Sequence, residues 1–214
     1  MLIYGKEIRE LMKEQIRQRA MDTPMKMVVV QVGDDQPSQV YVNGIRRFGD
    51  DVGVAVEVHN LPASVEQSQV EELIQQLNED KSVTGIMVQK PMPEHIDANY
   101  LVNIMHHSKD VEGIHNFNLG KLISREKGVK PSTPKAIVRM LKDNNIPIEG
   151  KKVTIVGRSI IVGNPLSVMM TSENATVTLC HSKTVNLAGE TRSADILIAA
   201  LGRQNFITAD MVKE

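Results

Sequence analysis

The stretch Gly85-Ile-Met-Val-Gln89 is apolar up to its last residue and is stopped by Pro91 and Pro93. Such a run reads as a buried strand, and an amide at the carboxyl end of a parallel strand stands where open α/β sheets bind ligands. Downstream, Lys109-Asp-Val-Glu-Gly-Ile-His-Asn-Phe-Asn-Leu-Gly120 gathers two acids, a histidine and two asparagines into one loop. Upstream, Gly33-Asp-Asp-Gln-Pro-Ser38 reads as a turn, and a helix begins at Ser38 with Tyr41 in its first turns. Tyr41 has two readings, a pocket wall or a boundary aromatic with its hydroxyl in water. Together these groups suit a polar organic ligand. They do not suit a metal: His106, His107 and His115 lack partners at ligand spacing, and His106-His107 reads as a solvated helix end.

A second group of residues lies in the last third of the chain. Val153-Thr-Ile-Val-Gly-Arg-Ser-Ile-Ile-Val-Gly-Asn-Pro165 is a strand, a tight turn and a helix start. Gly157 permits the turn, Gly163 allows close helix–strand packing, and N–H groups at the helix start would face a pyrophosphate. The pattern departs from the common dinucleotide fingerprint, with Ser159 in a glycine position, and a purely structural turn is the alternative. About 24 residues past Gly157, where an NAD site places an acid for its ribose, the chain has Cys180-His-Ser-Lys-Thr184. Ser182 and Lys183, with Arg158, offer donors for a 2′-phosphate, so NADP is favoured over NAD. Taken singly, Lys183 and Arg158 also read as solvated surface charges.

The elements that must hold these residues are legible from hydrophobic period. Strands are predicted at Met27–Val32, Val54–Leu61, Gly85–Gln89, Val153–Val156, Thr176–Leu179 and Ile196–Ala199. Ser64–Asn78 carries Val70, Leu73, Ile74 and Leu77 on one helical face, with Ser64 and Gln67 as a capping box. Thr133-Pro134 opens another helix through Leu141. Strands alternating with helices imply parallel sheets covered on both faces. A polar seam at Asn144–Lys152, with Pro147 and Gly150, precedes a fresh βαβ unit. The boundary is therefore expected at 145/146, with an α/β domain before it and a nucleotide-binding domain of Rossmann type after it.

Composition narrows the function classes. The 214 residues carry 25 basic and 26 acidic side chains, a net charge of −1, so nothing favours nucleic acid or an anionic membrane as partner. One cysteine, Cys180, excludes an internal disulfide framework and agrees with a reducing compartment. The first residues turn polar at once, no apolar run approaches the ~20 residues of a membrane span, and a cytoplasmic location is expected.

Six stretches in this order resemble the bifunctional methylenetetrahydrofolate dehydrogenase/cyclohydrolase family. They are Val32-Gly-Asp-Asp-Gln-Pro-Ser-Gln-Val-Tyr-Val42, Gly85–Ile96, Lys109–Leu122, Pro131-Ser-Thr-Pro-Lys135, Val156-Gly-Arg-Ser-Ile-Ile-Val-Gly163 and Ala175–Thr184. The resemblance implies a folate-binding α/β domain, an NADP-binding domain, and an interdomain cleft that holds folate against the nicotinamide. In such a family Tyr41 stacks on the substrate, Gln89 orients the catalytic group and Glu112 holds the pterin. Gly157, Arg158, Ser159 and Ser182 bind NADP. It further implies a homodimer working in one-carbon metabolism and purine biosynthesis.

The chain departs from that pattern in three ways. The family's catalytic lysine lies four residues after the tyrosine, where this chain has Ile45; Arg46 sits ~100° further round a helix. The pterin-binding acid is Glu112, one methylene longer than the family's aspartate. The resemblance also implies a further strand, a Pro-Val-Pro-Gly-Gly-Val-Gly loop and a terminal helix beyond Glu214, so the nucleotide domain reads as truncated. Because isoleucine supplies neither proton nor charge, the expected activity is NADP-dependent oxidation of 5,10-methylenetetrahydrofolate, with the cyclohydrolase step to 10-formyltetrahydrofolate in doubt. The alternatives are a non-catalytic folate- or nucleotide-binding protein of the same fold, and an NADP-dependent dehydrogenase of another small substrate.

Overall fold

Three consecutive valines, Val28 to Val30, are fully buried, because they lie on a strand whose two faces are both covered. That strand organises the first half of a computed structural model that describes residues 2–213. The chain divides into two compact units, residues 2–117 and 118 onward.

The first unit runs α1 (Lys6–Asp22), β1 (Lys26–Val32), α2 (Gln36–Val52), β2 (Ala55–Leu61), α3 (Gln67–Glu79), β3 (Gly85–Val88) and α4 (Ala98–Ile104). Its sheet is parallel with order β2-β1-β3. Strand side chains alternate between faces, and the two faces have different partners. Val28, Val30, Val32, Ile86 and Val88 pack against Val70, Ile74 and Leu77 of α3 and Leu101 and Val102 of α4. Val29 and Met87, on the other face, meet Val42 and Ile45 of α2. Helix α2 turns Ser38, Val42, Gly49 and Val52 inward, a spacing of about two turns or one that keeps them on a single stripe.

The second unit contains most of α5 (Asn116–Ile123), then α6 (Ser132–Asp143), β4 (Lys152–Val156), α7 (Gly163–Ser172), β5 (Thr176–Cys180), α8 (Leu187–Arg192), β6 (Ile196–Ala199) and a 3₁₀ turn at Ala209–Met211. Its sheet is also parallel, in the order β5-β4-β6. Leu122 of α5 and Val138 of α6 join Val153, Ile155, Leu166 and Met170 in one core. The seam expected at 145/146 therefore lies inside this unit: the apolar side of α6 belongs to the core that follows it.

Local differences from the sequence expectations have physical causes. Helix α3 starts at Gln67, and its capping box is Glu66 with Gln69, two residues later than the Ser64–Gln67 pair. Helix α2 starts at Gln36, before Ser38, because Asp35 caps it and accepts the Ser38 N–H at 2.9 Å. Helix α6 starts at Ser132, with Pro131 rather than Thr133 in the cap position. Helix α1 was not expected, having a mostly polar sequence; it is tied to α2 by Lys13 and Arg17, both paired with Asp51.

Candidate active site

The C-terminal ends of β1 and β3 carry the polar residues of the first unit. Strand β3 ends at Val88, but the Gln89 N–H still donates to Val30 O at 2.9 Å, so Gln89 is held as if on the strand. Its side chain is 6% exposed. The amide nitrogen donates to Lys90 O at 2.5 Å and to Ser38 Oγ at 3.3 Å. Since Lys90 O can only accept, this contact fixes which way the amide points. The amide oxygen, Oε1, is buried and has no hydrogen-bond partner. An unpartnered buried acceptor costs ~1–3 kcal/mol, so its presence at a strand end marks a place where a donor is meant to arrive.

Helix α2 brings its own residues to this point. Ser38 is bound from both sides, donating to Asp35 Oδ2 at 2.6 Å while accepting from Gln89. Tyr41, one turn on, is 57% exposed. Ile45, a further turn along, is half-buried among Val29, Val42 and Met87. Helical side chains lean toward the N-terminus of their helix. A longer side chain at 45 would therefore reach back toward Ser38, whereas isoleucine ends in the apolar layer. Among the described residues it is Ser38, on the same helix, that hydrogen-bonds to Gln89; Tyr41 does not.

The acidic loop folds around Asp110. That residue is 1% exposed and forms a parallel bridge with Ile86, next to β3. Its carboxylate accepts N–H groups from Glu112 (3.1 Å), Gly113 (2.8 Å) and His115 (2.9 Å). The loop so formed leaves the Glu112 carboxyl without a hydrogen bond or ion pair among the described residues. Burial, with the Asp110 charge second, pushes Glu112 up to about 7 from the usual 4.5, and Lys90 opposes the rise. The Asp110–Ile86 bridge runs this loop alongside β3. His115 is used structurally: Nε2 faces Asn103 O at 3.1 Å and Nδ1 accepts the Phe117 N–H at 2.9 Å. His106 and His107 follow α4 and stack at 4.7 Å between ring centroids.

Ser38, Asp35, Lys90 and Asp110 were not singled out from sequence. The Asp35–Ser38 spacing is a helix-capping signal that points to the first two. Nothing local announces that Ser38 also meets a residue about fifty positions away.

In the second unit, β4 lies between β5 and β6. The chain leaves β4 toward β5 and then crosses to the other side, so the topological switch point lies above the end of β4. Gly157 stands there with φ 119°, and its N–H donates to Cys180 O at 2.9 Å. A Cβ at 157 would lie 2.4 Å from Ala200 O, and one at 163 would lie 1.8 Å from Gly157 O. Both glycines are required by close backbone approach. Ser159 is exposed but bonded within the turn, its Oγ accepting the Val162 N–H at 3.1 Å and its carbonyl accepting the Asn164 N–H at 3.0 Å. Its side chain thus serves the turn.

Arg158, Ser182 and Lys183 are exposed. The strand ends are in register, with Val156 opposite Cys180, so the 157–158 and 181–183 segments leave neighbouring strands on the same side. A second turn is closed by Thr184, whose Oγ1 accepts the His181 N–H at 2.8 Å. Two donor-bearing turns flank the opening of a helix whose first residue is a glycine. The residues present fit a dinucleotide with an added phosphate.

Comparison with known proteins agrees with both halves. Residues 3–112 match the tetrahydrofolate dehydrogenase/cyclohydrolase catalytic domain, and residues 131–214 match the NAD(P)-binding domain of the same family. The bifunctional protein FolD 2 of Syntrophomonas wolfei is 55% identical over 212 residues, which is 99% of this chain and 78% of that protein. The crystal structure of the bifunctional enzyme FolD, a methylenetetrahydrofolate dehydrogenase/cyclohydrolase from Campylobacter jejuni, superimposes with a TM-score of 0.95 at 36% identity, covering 98% of this chain and 77% of that one. The Trypanosoma brucei methylenetetrahydrofolate dehydrogenase-cyclohydrolase, solved with NADP cofactor and an inhibitor, gives 0.93 at 27% identity over 100% and 75%. On these matches the chain belongs to the tetrahydrofolate dehydrogenase/cyclohydrolase family.

Proposed function

We propose that the chain oxidises 5,10-methylenetetrahydrofolate to 5,10-methenyltetrahydrofolate with NADP⁺, and that hydrolysis to 10-formyltetrahydrofolate is its weaker half. The observation that carries this reading is the buried, unpartnered Oε1 of Gln89 at the end of β3, with the unpaired Glu112 carboxyl on the loop that bridges to the same strand. The reduced pterin offers N–H donors along one edge, and a carboxylate and an amide oxygen are their natural acceptors. Tyr41 adds an exposed aromatic face for stacking.

NADP, when bound, supplies the hydride acceptor. Gly157 and Gly163 give its pyrophosphate room at the start of α7, and Arg158, Ser182 and Lys183 hold the 2′-phosphate. In the oxidation the folate nitrogen lone pair pushes the hydride out, so the protein's share is mainly orientation. Gln89 and Glu112 fix the pterin plane, and Tyr41 covers it. Hydrolysis differs: water must attack and a ring nitrogen must take a proton, which calls for a positioned acid/base. Ile45 has no proton to give, and its half-buried side chain leaves the Gln89 oxygen without the cation a lysine there would bring.

The same reading gives a homodimer that works in the cytoplasm and serves purine biosynthesis. Sedimentation would test the first point. No helix among the described residues is long and apolar enough to cross a membrane. A second reading, folate binding without turnover, is favoured by Ile45 alone. An absorbance assay separates the two. NADPH formation from methylenetetrahydrofolate supports the dehydrogenase, and tight folate binding with no NADPH supports the binding protein.

A further inference from the structure

Helix α2 has a second polar flank. Its inward stripe is Ser38, Val42, Ile45, Gly49 and Val52. At ~100° per residue, Tyr41 falls to one side of that stripe, and Gln39, Asn43 and Arg46 fall to the other. This second side overlooks the edge strand β2, whose Asn60 pairs in register with Gln31 of β1. A recess of about 180 Å³ lies there, lined by Gln31, Gln39, Asn43, Arg46, Val58 and Asn60.

The polar capacity of this recess is almost wholly unused. Arg46 makes no ion pair or hydrogen bond with another described residue. The side-chain amides of Gln39, Asn43 and Asn60 make none either. Gln31 is only 3% exposed, yet its one side-chain bond is a long contact of 3.4 Å from Nε2 to Gly33 O. Its amide lines the recess, so the capacity left over is open to whatever occupies that space. No acid lines the recess, and the sole charge is a guanidinium.

We propose that this recess is a binding site for a small carboxylate of amino-acid size. The Arg46 fork matches a carboxylate in two parallel bonds. The amide nitrogens of Asn43 and Asn60 add donors, and the amide oxygens receive N–H or O–H groups of the ligand. At ~30 Å³ of liquid volume per water, the space holds roughly six waters or one molecule of glutamate's size. A phosphate dianion fits less well, because it meets one cation only. The N-terminus of α2 offers it nothing, since Asp35 already occupies that cap. The site lies on the flank of α2 away from Tyr41, so the proposal stands whether or not the folate reading does.

The test is an NMR titration of the side-chain amide and Arg46 Nε signals with L-glutamate, acetate and inorganic phosphate. The expected result is saturable shifts at Gln31, Asn43 and Asn60 with a Kd of about 1 mM or tighter, stronger for glutamate than for phosphate. Arg46→Gln should weaken binding at least tenfold (about 1.4 kcal/mol). Asn60→Leu, which keeps the charge and fills the recess, should abolish it. No saturable shift, or shifts that survive both substitutions, would overturn the assignment. So would the same signals moving with protein concentration alone, which would show that a second copy of the chain covers this face.

Discussion

Replacing Glu112 with glutamine should change how stability and folate binding depend on pH, in opposite senses. Burial and the Asp110 charge hold the Glu112 carboxyl at about 7 against 4.5 in an unstructured chain. Between those values the folded chain keeps a proton that the unfolded chain has released. Stability attached to this group is therefore fully present below about 4.5 and is lost as pH rises through about 7. At 1.36 kcal/mol per pH unit the loss across that window is at most ~3 kcal/mol, and partial solvent screening brings it to ~2 kcal/mol. Glu112→Gln removes the titrating proton, so its unfolding free energy should fall by ~2 kcal/mol less than wild type between pH 5 and 8. Urea unfolding followed by circular dichroism measures the difference. Binding runs the other way. The pterin donors need the ionised carboxylate, so wild-type folate affinity should rise as pH passes about 7. The glutamine variant should show no such rise. A ¹³C titration that places the Glu112 carboxyl near 4.5, or identical pH slopes in the two proteins, would refute the reasoning.

Four further outcomes are expected. Ile45→Lys supplies both a proton and a donor for Gln89 Oε1, and should raise methenyltetrahydrofolate hydrolysis by ~10²–10⁴-fold; a folded, folate-binding variant with no gain would favour the binding-protein reading. Gln89→Met removes the unpartnered oxygen along with two hydrogen bonds, so stability should change by less than ~1 kcal/mol while folate binding weakens, read by thermal melts and ligand titration. Ser182→Asp should shift the NADP-to-NAD affinity ratio toward NAD by at least about tenfold, because a carboxylate accepts from the ribose hydroxyl and repels the phosphate; cofactor titrations check it. Lys109→Met should cost ~2 kcal/mol in urea unfolding, since the ammonium donates to Leu77, Asn78 and Asp80 carbonyls at 2.6–2.8 Å.

Much of this protein is written in local pattern. The valine run of β1, the four apolar residues spaced along α3 and the two glycines around Arg158 reveal their structure because periodicity and backbone freedom depend only on neighbours in the chain. Those signals suffice for two parallel sheets with a nucleotide turn in the second. Gln89 could be placed at a strand end for the same reason. Other features depend on residues that meet only after folding. Helix α1 is so polar that its few apolar residues do not declare it, and it is held by Lys13 and Arg17 on Asp51 of another helix. The seam expected at 145/146 looked like a boundary in composition, yet α6 buries its apolar side in the core that follows. Gln89 is an ordinary polar residue until Ser38 and Lys90 O take its nitrogen and burial strips its oxygen of water. Glu112 becomes an acid poised near neutrality only when the loop closes on Asp110 and brings desolvation and a like charge together. Periodicity is a property of sequence neighbours, whereas desolvation and pairing are properties of spatial ones, and those exist only in the tertiary structure.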